Sequence, residues 1–522
     1  MADLPSPSAG GSSGDELEDL LLAELEEQAV LAAATAVVEN EAPVPKRQRT
    51  VGASRSGECP PHPGFMGGIC IRCGVLKPPQ DPSHLPGIKL NRNNDNVKNI
   101  QSSSPLALKY IHHGLEVSRD EAERLRAETV QRALASRRLL LILDLDHTLL
   151  HSSRFSDLTQ AQHEALHTRA AAQTGPPENL LLYHLQYMSM WTKLRPGIRN
   201  FLTSAHELFD LHVFTMGDKD YAAGMAAVLD PNGKLFGGRV ASSSDAGPGG
   251  VKDIDVLLGA EEMVMILDDT VGVWPRHKDN LMQVERYIYF PACAVRFGRG
   301  GQSLFERGED EDADNGALAT CLRVLTEVHR RFFKEHDSQQ LEQQKLAINP
   351  NTAANGDAEG VVSIHENTSH QMLSSLPDAR AHLRAVRAEI LVGCCILFSR
   401  IIPKDISDPS RHPFWQLATH LGAKCVSEQC PEVTHVVAAN HTDKTNWAEK
   451  LGKFVVSPDW LMCCAFTWNH AEEEMFPLVD DKGTSSIVNT KGNTAVDAAK
   501  LLGGDDEADV KAALAAAGGG GR

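Results

Sequence analysis

Residues 139–148 read Leu139-Leu140-Leu141-Ile142-Leu143-Asp144-Leu145-Asp146-His147-Thr148. Five consecutive apolar residues that close on a carboxylate fit a strand buried on both faces, as in a parallel sheet covered by helices. Two runs downstream have the same form. Leu211 to Phe214 (LHVF) is followed by Thr215, and Met263 to Leu267 (MVMIL) is followed by Asp268 and Asp269. Helical stretches lie between the runs, so the order predicts an α/β domain with a doubly wound parallel sheet. Ligands bind such sheets at the carboxyl ends of the strands, and each of these strands ends in a polar residue.

Two carboxylates two residues apart, leaving a strand, can face one bound phosphate once the chain turns. Asp144 is then the candidate nucleophile, forming an aspartyl-phosphate. Asp146 is the candidate acid/base, protonating the leaving oxygen and later deprotonating water. Phosphate esters are anionic, and Mg²⁺ bridging carboxylate and phosphate oxygens lets a carboxylate approach them. Asp268 and Asp269 add carboxylates for the metal, Thr215 a hydroxyl for a phosphate oxygen, and Lys252 a cation for its charge. Each feature alone is weak; a chance D-x-D-x-T or a solvated Asp-Asp is common. The weight lies in the order strand–DxDxT, strand–Thr, Lys, strand–DD.

That order resembles the haloacid dehalogenase superfamily and, more narrowly, the Fcp-like phosphatases of the RNA polymerase II C-terminal domain. The strings that carry the narrower likeness are Asp144 to Ser152 (DLDHTLLHS), Lys193 to Gly197 (KLRPG), Phe214 to Gly217 (FTMG), Leu229-Asp230-Pro231, Lys252-Asp253, and Leu267 to Thr270 (LDDT) with Val273-Trp274 and Lys278 to Leu281. The resemblance implies Asp144 as nucleophile, Asp146 as acid/base, Thr148 as the residue orienting their loop, and Thr215 and Lys252 as phosphate contacts. It implies Mg²⁺ held by Asp144, Asp146, Asp269 and Asp268, and places Arg195 and Asp230 on the substrate side. His147 sits at a variable position and is read as non-catalytic.

Upstream, Cys59-x2-His62-x7-Cys70-x2-Cys73 pairs four ligand-type residues at a spacing that suits one structural Zn²⁺. Downstream, the strings around Leu421-Gly422-Ala423, Val433 to Val437 (VTHVV) and Val456 to Leu461 (VSPDWL) resemble a BRCT domain, a smaller α/β fold. Trp460 is its expected packing anchor. In phosphopeptide-binding members of that family a hydroxyl after the first strand and a Lys at the second helix hold phosphate. Ser399 and Lys444 are the matching positions, although Arg400 stands where a Gly often follows.

The expected organisation is a disordered acidic region at 1–58, a zinc knuckle at 59–78 and a linker at 79–118. A phosphatase domain at 119–335 follows, then a second linker at 336–385, a BRCT domain at 386–480 and a disordered tail at 481–522. Within the phosphatase domain, 154–190 reads as an irregular insertion, and 389–403 (EILVGCCILFSRIIP) reads as one long buried strand opening the BRCT domain.

The 522 residues carry a net charge of −18 and 42% hydrophobic residues, enough for several cores but unsuited to wrapping nucleic acid. No apolar run is long enough to span a membrane, and no secretory signal precedes the 11 Cys, which are expected as thiols or metal ligands. Lys46-Arg47-Gln48-Arg49 fits a nuclear import signal or a charged linker equally well.

The resulting expectation is a nuclear, Mg²⁺-dependent phosphoserine phosphatase acting on the heptad tail of RNA polymerase II and meeting its associated transcription factors. Two alternatives stand beside it: the same chemistry on another nuclear phosphoprotein, or a scaffold with an inactive site.

Overall fold

The computed structural model describes residues 62–77, 106–107, 114–176, 179–247, 249–257, 260–296, 303–348, 376–403 and 406–478. The expectations for the acidic region 1–58, including the basic cluster at 46–49, and for 481–522 lie outside them. Two short strands open the described chain, β1 (Gly64–Met66) and β2 (Ile69–Cys70). They continue into an antiparallel sheet of order β2-β1-β4-β3 with β3 (Leu106–Ala107) and β4 (Leu115–Val117). The stretch expected as linker at 79–118 therefore contains two strands. Strands of two or three residues carry too little alternation to be read as pattern.

Ser118 then caps α1 (Arg119–Ser136), its hydroxyl accepting the N–H of Glu121, and α1 leads into β5 (Leu139–Leu143), buried at all five positions. The stretch 154–190 is ordered rather than irregular. An antiparallel sheet of order β6-β8-β7 is built from β6 (Leu150–Arg154), β7 (Leu182–Leu185) and β8 (Met190–Leu194), and the helix α2 (Gln160–Ala171) crosses from β6 to β7. Its apolar period is broken by polar residues. Exposed His167 and half-buried His184 pack on the buried Trp191 with ring centroids 4.9 and 4.6 Å away.

The chain continues through α3 (Ile198–Leu208), β9 (Phe209–Phe214), α4 (Lys219–Leu229), β10 (Val240–Ala241), β11 (Val264–Asp268) and β12 (Leu281–Gln283). All five strands of the central sheet run parallel, in the order β10-β9-β5-β11-β12. The chain winds from β5 out to β10, then returns to β11 on the other side of β5. That reversal makes a switch point between β5 and β11, where side chains at the strand ends can converge on a ligand. The closing helix α5 runs over Ala317–Ile348, beyond the expected end at 335.

The C-terminal unit begins with α6 (Ala379–Arg387) and a turn, so the first strand of its sheet is only β13 (Cys395–Ser399). The apolar residues at 390–392 that suggested a longer strand lie in that turn. With α7 (Pro413–His420), β14 (Lys424–Val426), β15 (His435–Ala438), α8 (Asp443–Lys450), β16 (Phe454–Val456) and α9 (Pro458–Thr467), a parallel sheet of order β14-β13-β15-β16 is complete. Trp460 is fully buried in its core and stacks on His435 at 4.8 Å. This is a BRCT-like α/β domain beside the larger α/β domain.

Gly422 ends α7 at φ +97°, and a Cβ there would stand 1.9 Å from the Ala388 carbonyl oxygen. Gly422→Ala is expected to destabilise the C-terminal unit by roughly 2–4 kcal/mol, from left-handed strain plus the backbone clash. Native-state hydrogen exchange at β13 and β15 amides reads this. Unchanged protection there would remove the argument.

Candidate active site

The three strand ends meet as the apolar runs predicted. Asp144 follows β5, Thr215 follows β9, and Asp268 ends β11 with Asp269 next. Carboxylate oxygens of Asp144, Asp268 and Asp269 lie within 4.8 Å of one another, and all three residues are buried. Lys252 reaches in from the segment before β11, with its backbone N–H donated to Val273 O at 2.9 Å. Its ammonium donates to Asp144 Oδ1 at 2.6 Å and to Asp268 Oδ2 at 2.7 Å. The rings of Trp274 and Phe214 flank that ammonium at 5.6 and 5.8 Å.

The two aspartates of Asp268-Asp269 do different work. Both oxygens of Asp268 are occupied: Oδ1 accepts the Thr270 N–H at 2.8 Å, while Oδ2 accepts from Trp274 Nε1 at 2.8 Å as well as from Lys252. Asp269 faces Arg286, whose guanidinium pairs with its Oδ2, and Thr270, whose hydroxyl donates at 3.1 Å. Thr148 accepts the Asp269 N–H at 3.1 Å, which ties the DxDxT loop to the end of β11.

Asp146 stands apart from the three-carboxylate group. Its Oδ1 accepts from Tyr221 of α4 at 2.5 Å, and the Tyr221 oxygen also meets the Ser152 hydroxyl at 3.0 Å. The expected metal set of four is thus three converging carboxylates plus one turned toward a tyrosine. His147, between the two loop aspartates, adopts φ +63°. Its carbonyl accepts from Tyr287 N at 2.7 Å and its Nδ1 lies 3.0 Å from Tyr287 O. A left-handed residue here turns the chain between Asp144 and Asp146, and His is among the residues that tolerate it.

Burial raises Asp144 well above the ordinary carboxylate range; Lys252 opposes this, and the neighbouring aspartates reinforce it. Burial likewise raises Asp146, against the Tyr221 hydrogen bond. Burial would raise Asp269 too, but Arg286 and His147 outweigh it and hold it low. Lys252 stays charged, because Asp144 and Asp268 outweigh the burial that disfavours its ammonium. Three converging carboxylates thus face two close cations, Lys252 and Arg286. The formal excess of one negative charge and the all-oxygen donor set suit a hard divalent cation.

Other expected site residues lie elsewhere or do other work. Arg195 is fully buried and pairs bidentately with Glu311 at 2.8 and 2.7 Å. It also donates to Thr148 O at 3.0 Å and Glu285 O at 2.8 Å, so in this structure it braces the catalytic loop rather than opening toward a substrate. Asp230 accepts the backbone N–H groups of Lys234, Leu235 and Phe236 and closes the loop after α4. Thr215 is buried and accepts from Gly217 N at 3.0 Å.

Ser399 and Lys444 do converge at the end of β13. The Ser399 hydroxyl meets Thr442 Oγ1 at 2.8 Å, and Lys444 Nζ lies 3.3 Å from Phe398 O. Of the Cys/His cluster, Cys59 lies outside the described residues, while His62, Cys70 and Cys73 come together. Tyr221 and Arg286 escaped the sequence reading. Neither stands in a motif, and only the packing of α4 and the loop after β12 against the strand ends brings them in.

A family model described as NLI interacting factor-like phosphatase matches residues 139–292, and one described as twin BRCT domain matches 399–460. The Arabidopsis thaliana protein named RNA polymerase II C-terminal domain phosphatase-like 4 is 36% identical over 428 residues, covering 82% of this chain and 84% of that protein. The chain belongs to the RNA polymerase II C-terminal domain phosphatase family. Phosphatase-like 3 of the same plant is 39% identical over 371 residues, covering 69% of this chain and 27% of its own length. A solved structure titled as Fcp1, an essential RNA polymerase II CTD phosphatase, aligns at TM-score 0.49 and 24% identity over 68% of this chain and all of that one.

In this phosphatase-family chain the pair of buried Arg195 with half-buried Glu311 gives a direct test of the bracing role. Arg195→Ala removes the pair and the bonds to two carbonyls and is expected to cost about 1–3 kcal/mol in equilibrium denaturation. A variant of unchanged stability with a raised KM would return Arg195 to the substrate side.

Proposed function

We propose that this chain is a Mg²⁺-dependent protein serine phosphatase acting on the heptad-repeat tail of RNA polymerase II, and that it regulates transcription from within the nucleus. The observation that carries the reading is the junction of Asp144, Asp268 and Asp269 with Lys252 at the switch point of the sheet. Asp144 and Asp269 would hold the metal, with Asp268 beside them holding Lys252; the metal when bound would neutralise phosphate charge beside the attacking carboxylate.

Asp144 offers its second oxygen to phosphorus while Lys252 holds the first. Lys252 and Thr215 are the cation and hydroxyl for the phosphoryl oxygens. Asp146, kept above the usual carboxylate range by burial, gives its proton to the leaving serine oxygen. The same carboxylate then takes a proton from the water that opens the aspartyl-phosphate. Tyr221 fixes the Asp146 carboxylate in place. The intact set disfavours the inactive-scaffold alternative. The C-terminal BRCT unit, with Ser399 and Lys444 as its candidate phosphate contacts, would dock the enzyme on the phosphorylated tail or on associated transcription factors.

The test is Mg²⁺-dependent phosphate release from a heptad peptide phosphorylated on serine, beside an aryl phosphate control. Asp144→Asn is expected to abolish release from both. Release from the aryl phosphate alone would keep the chemistry and move the substrate elsewhere, and release from neither would favour the scaffold.

Tyr221→Phe removes a hydrogen bond that favours the Asp146 carboxylate, so it raises the Asp146 pKa further. The acid form then persists to higher pH, and the basic limb of the kcat/KM profile should move up in pH. A fall in kcat of roughly tenfold to a hundredfold should accompany it. A basic limb left in place would separate Tyr221 from the proton transfer.

A further inference from the structure

Among the described residues the sheet β2-β1-β4-β3 has little of what ordinarily holds a small sheet together. Its hydrophobic cluster there contains two buried residues, Val117 and Ala122, with Leu115 and Leu125 packed partly against them. The apolar residues of the β1–β2 hairpin and the turn beyond it face outward: Met66, Ile69, Ile71, Val75 and Leu76 are 46–71% exposed. Strands of two or three residues with so little burial do not offset the entropy of ordering them. Small units in this position are held by a disulfide or a metal, and Cys70 and Cys73 are free thiols.

The geometry around those thiols is built. After β2 the chain turns sharply, with Gly74 at φ +75° and its N–H donated back to Cys70 O at 3.0 Å, while Cys70 N donates to Val75 O at 2.8 Å. The turn aims the backbone N–H groups of Arg72 and Cys73 at the Cys70 sulfur. His62, just before β1, brings Nδ1 to 3.5 Å from Cys73 Sγ. The ligand atoms of His62, Cys70 and Cys73 all lie within 4.8 Å of one another. Around a tetrahedral Zn²⁺, ligand atoms stand about 3.3–3.8 Å apart, given the usual Zn–N and Zn–S bond lengths.

We propose that His62, Cys70 and Cys73 bind a structural Zn²⁺ that holds this thinly packed hairpin together. Two thiolates and an imidazole select a borderline-soft ion over Mg²⁺, so this site and the carboxylate site take different metals. The ion's consequence reaches past the knuckle. Ser118 N donates to Pro63 O at 2.8 Å, and β1 pairs with β4 from Gly64–Val117 to Met66–Leu115, so the metal-held hairpin is fixed to the cap of α1. Through Val130 and Ala133, α1 belongs to the main core, and Arg126 reaches Asp255, three residues from Lys252.

The full-length chain is purified, stripped of loosely bound ions by gel filtration, and its zinc measured by mass spectrometry. Wild type should carry close to one zinc per chain, and Cys70→Ser and Cys73→Ser at least tenfold less. On the intact wild type, replacement by Co²⁺ should give a thiolate-to-cobalt charge-transfer absorption, which does not depend on a variant folding. A strong zinc chelator should speed hydrogen exchange at the Gly67 and Cys70 amides while leaving β5 protected. Wild type without zinc and without the cobalt band would overturn the site. So would zinc that survives Cys70→Ser and leaves with His470→Ala, because Cys394, His435 and His470 form a second Cys/His group in the C-terminal unit. None of these readouts uses phosphate release, so zinc binding stands or falls apart from the phosphatase reading.

Discussion

The structure turns on one ammonium placed between two carboxylates at a sheet reversal. Lys252 bonds Asp144 from β5 and Asp268 from β11, with all three side chains withdrawn from solvent. An isolated carboxylate at this depth would take up a proton rather than pay several kcal/mol of desolvation. The lysine opposes that uptake, and the aspartates keep the lysine charged. Removing either side would leave a buried, unmatched charge, so the arrangement holds or fails as a unit.

The distribution of partners sorts the carboxylates by role. Asp268 has every strong acceptor position engaged by Lys252, Trp274 and Thr270, so it is suited to holding the lysine. Among the described residues Asp144 has one side-chain partner, Lys252, which leaves an oxygen for chemistry. A second layer fixes this order. Arg195 donates to the carbonyls of both Thr148 and Glu285. Thr148 fixes the backbone of Asp269, and the residue after Glu285 is Arg286, which pairs with the Asp269 carboxylate. One buried arginine therefore sets both flanks of the same aspartate.

The three apolar runs were legible because a strand buried on both faces leaves an uninterrupted aliphatic signature, and the residue that ends it must be polar to meet solvent or ligand. Asp144, Thr215, Asp268 and Asp269 were found that way, and Lys252 was found by its place in their order. Tyr221 was not, because its hydroxyl reaches Asp146 only after α4 packs over the sheet. The small sheet at 150–194 was missed because its buried residues, among them Leu166, Leu182 and Trp191, are widely spaced among polar ones and meet aromatics from 287–305 that are distant in sequence. Arg195 and Asp230 were placed near the site for a sound reason, but the likeness could not distinguish touching a substrate from holding the loops that do. A guanidinium bonded to Glu311 and two carbonyls is seen only in three dimensions.

The C-terminal unit is not a loosely strung appendage in this structure. Ala379, Leu383 and Val386 of α6 lie in the same buried cluster as the central sheet, and Trp468, at the end of α9, joins them. Trp468 takes φ +49°, and Arg323 of α5 donates to its carbonyl at 3.1 Å while the Arg387 guanidinium stands 4.7 Å over its ring. Gln283 of β12, beside this contact, donates to the Asp269 carbonyl at 3.0 Å. The seam between the two units thus runs within one residue of the carboxylate cluster. A ligand on the C-terminal unit can influence the site only if it binds two arrangements of this seam unequally. A seam closed by a buried tryptophan and an arginine favours one arrangement, so its effect on the site is to hold β12 and Asp269 in register.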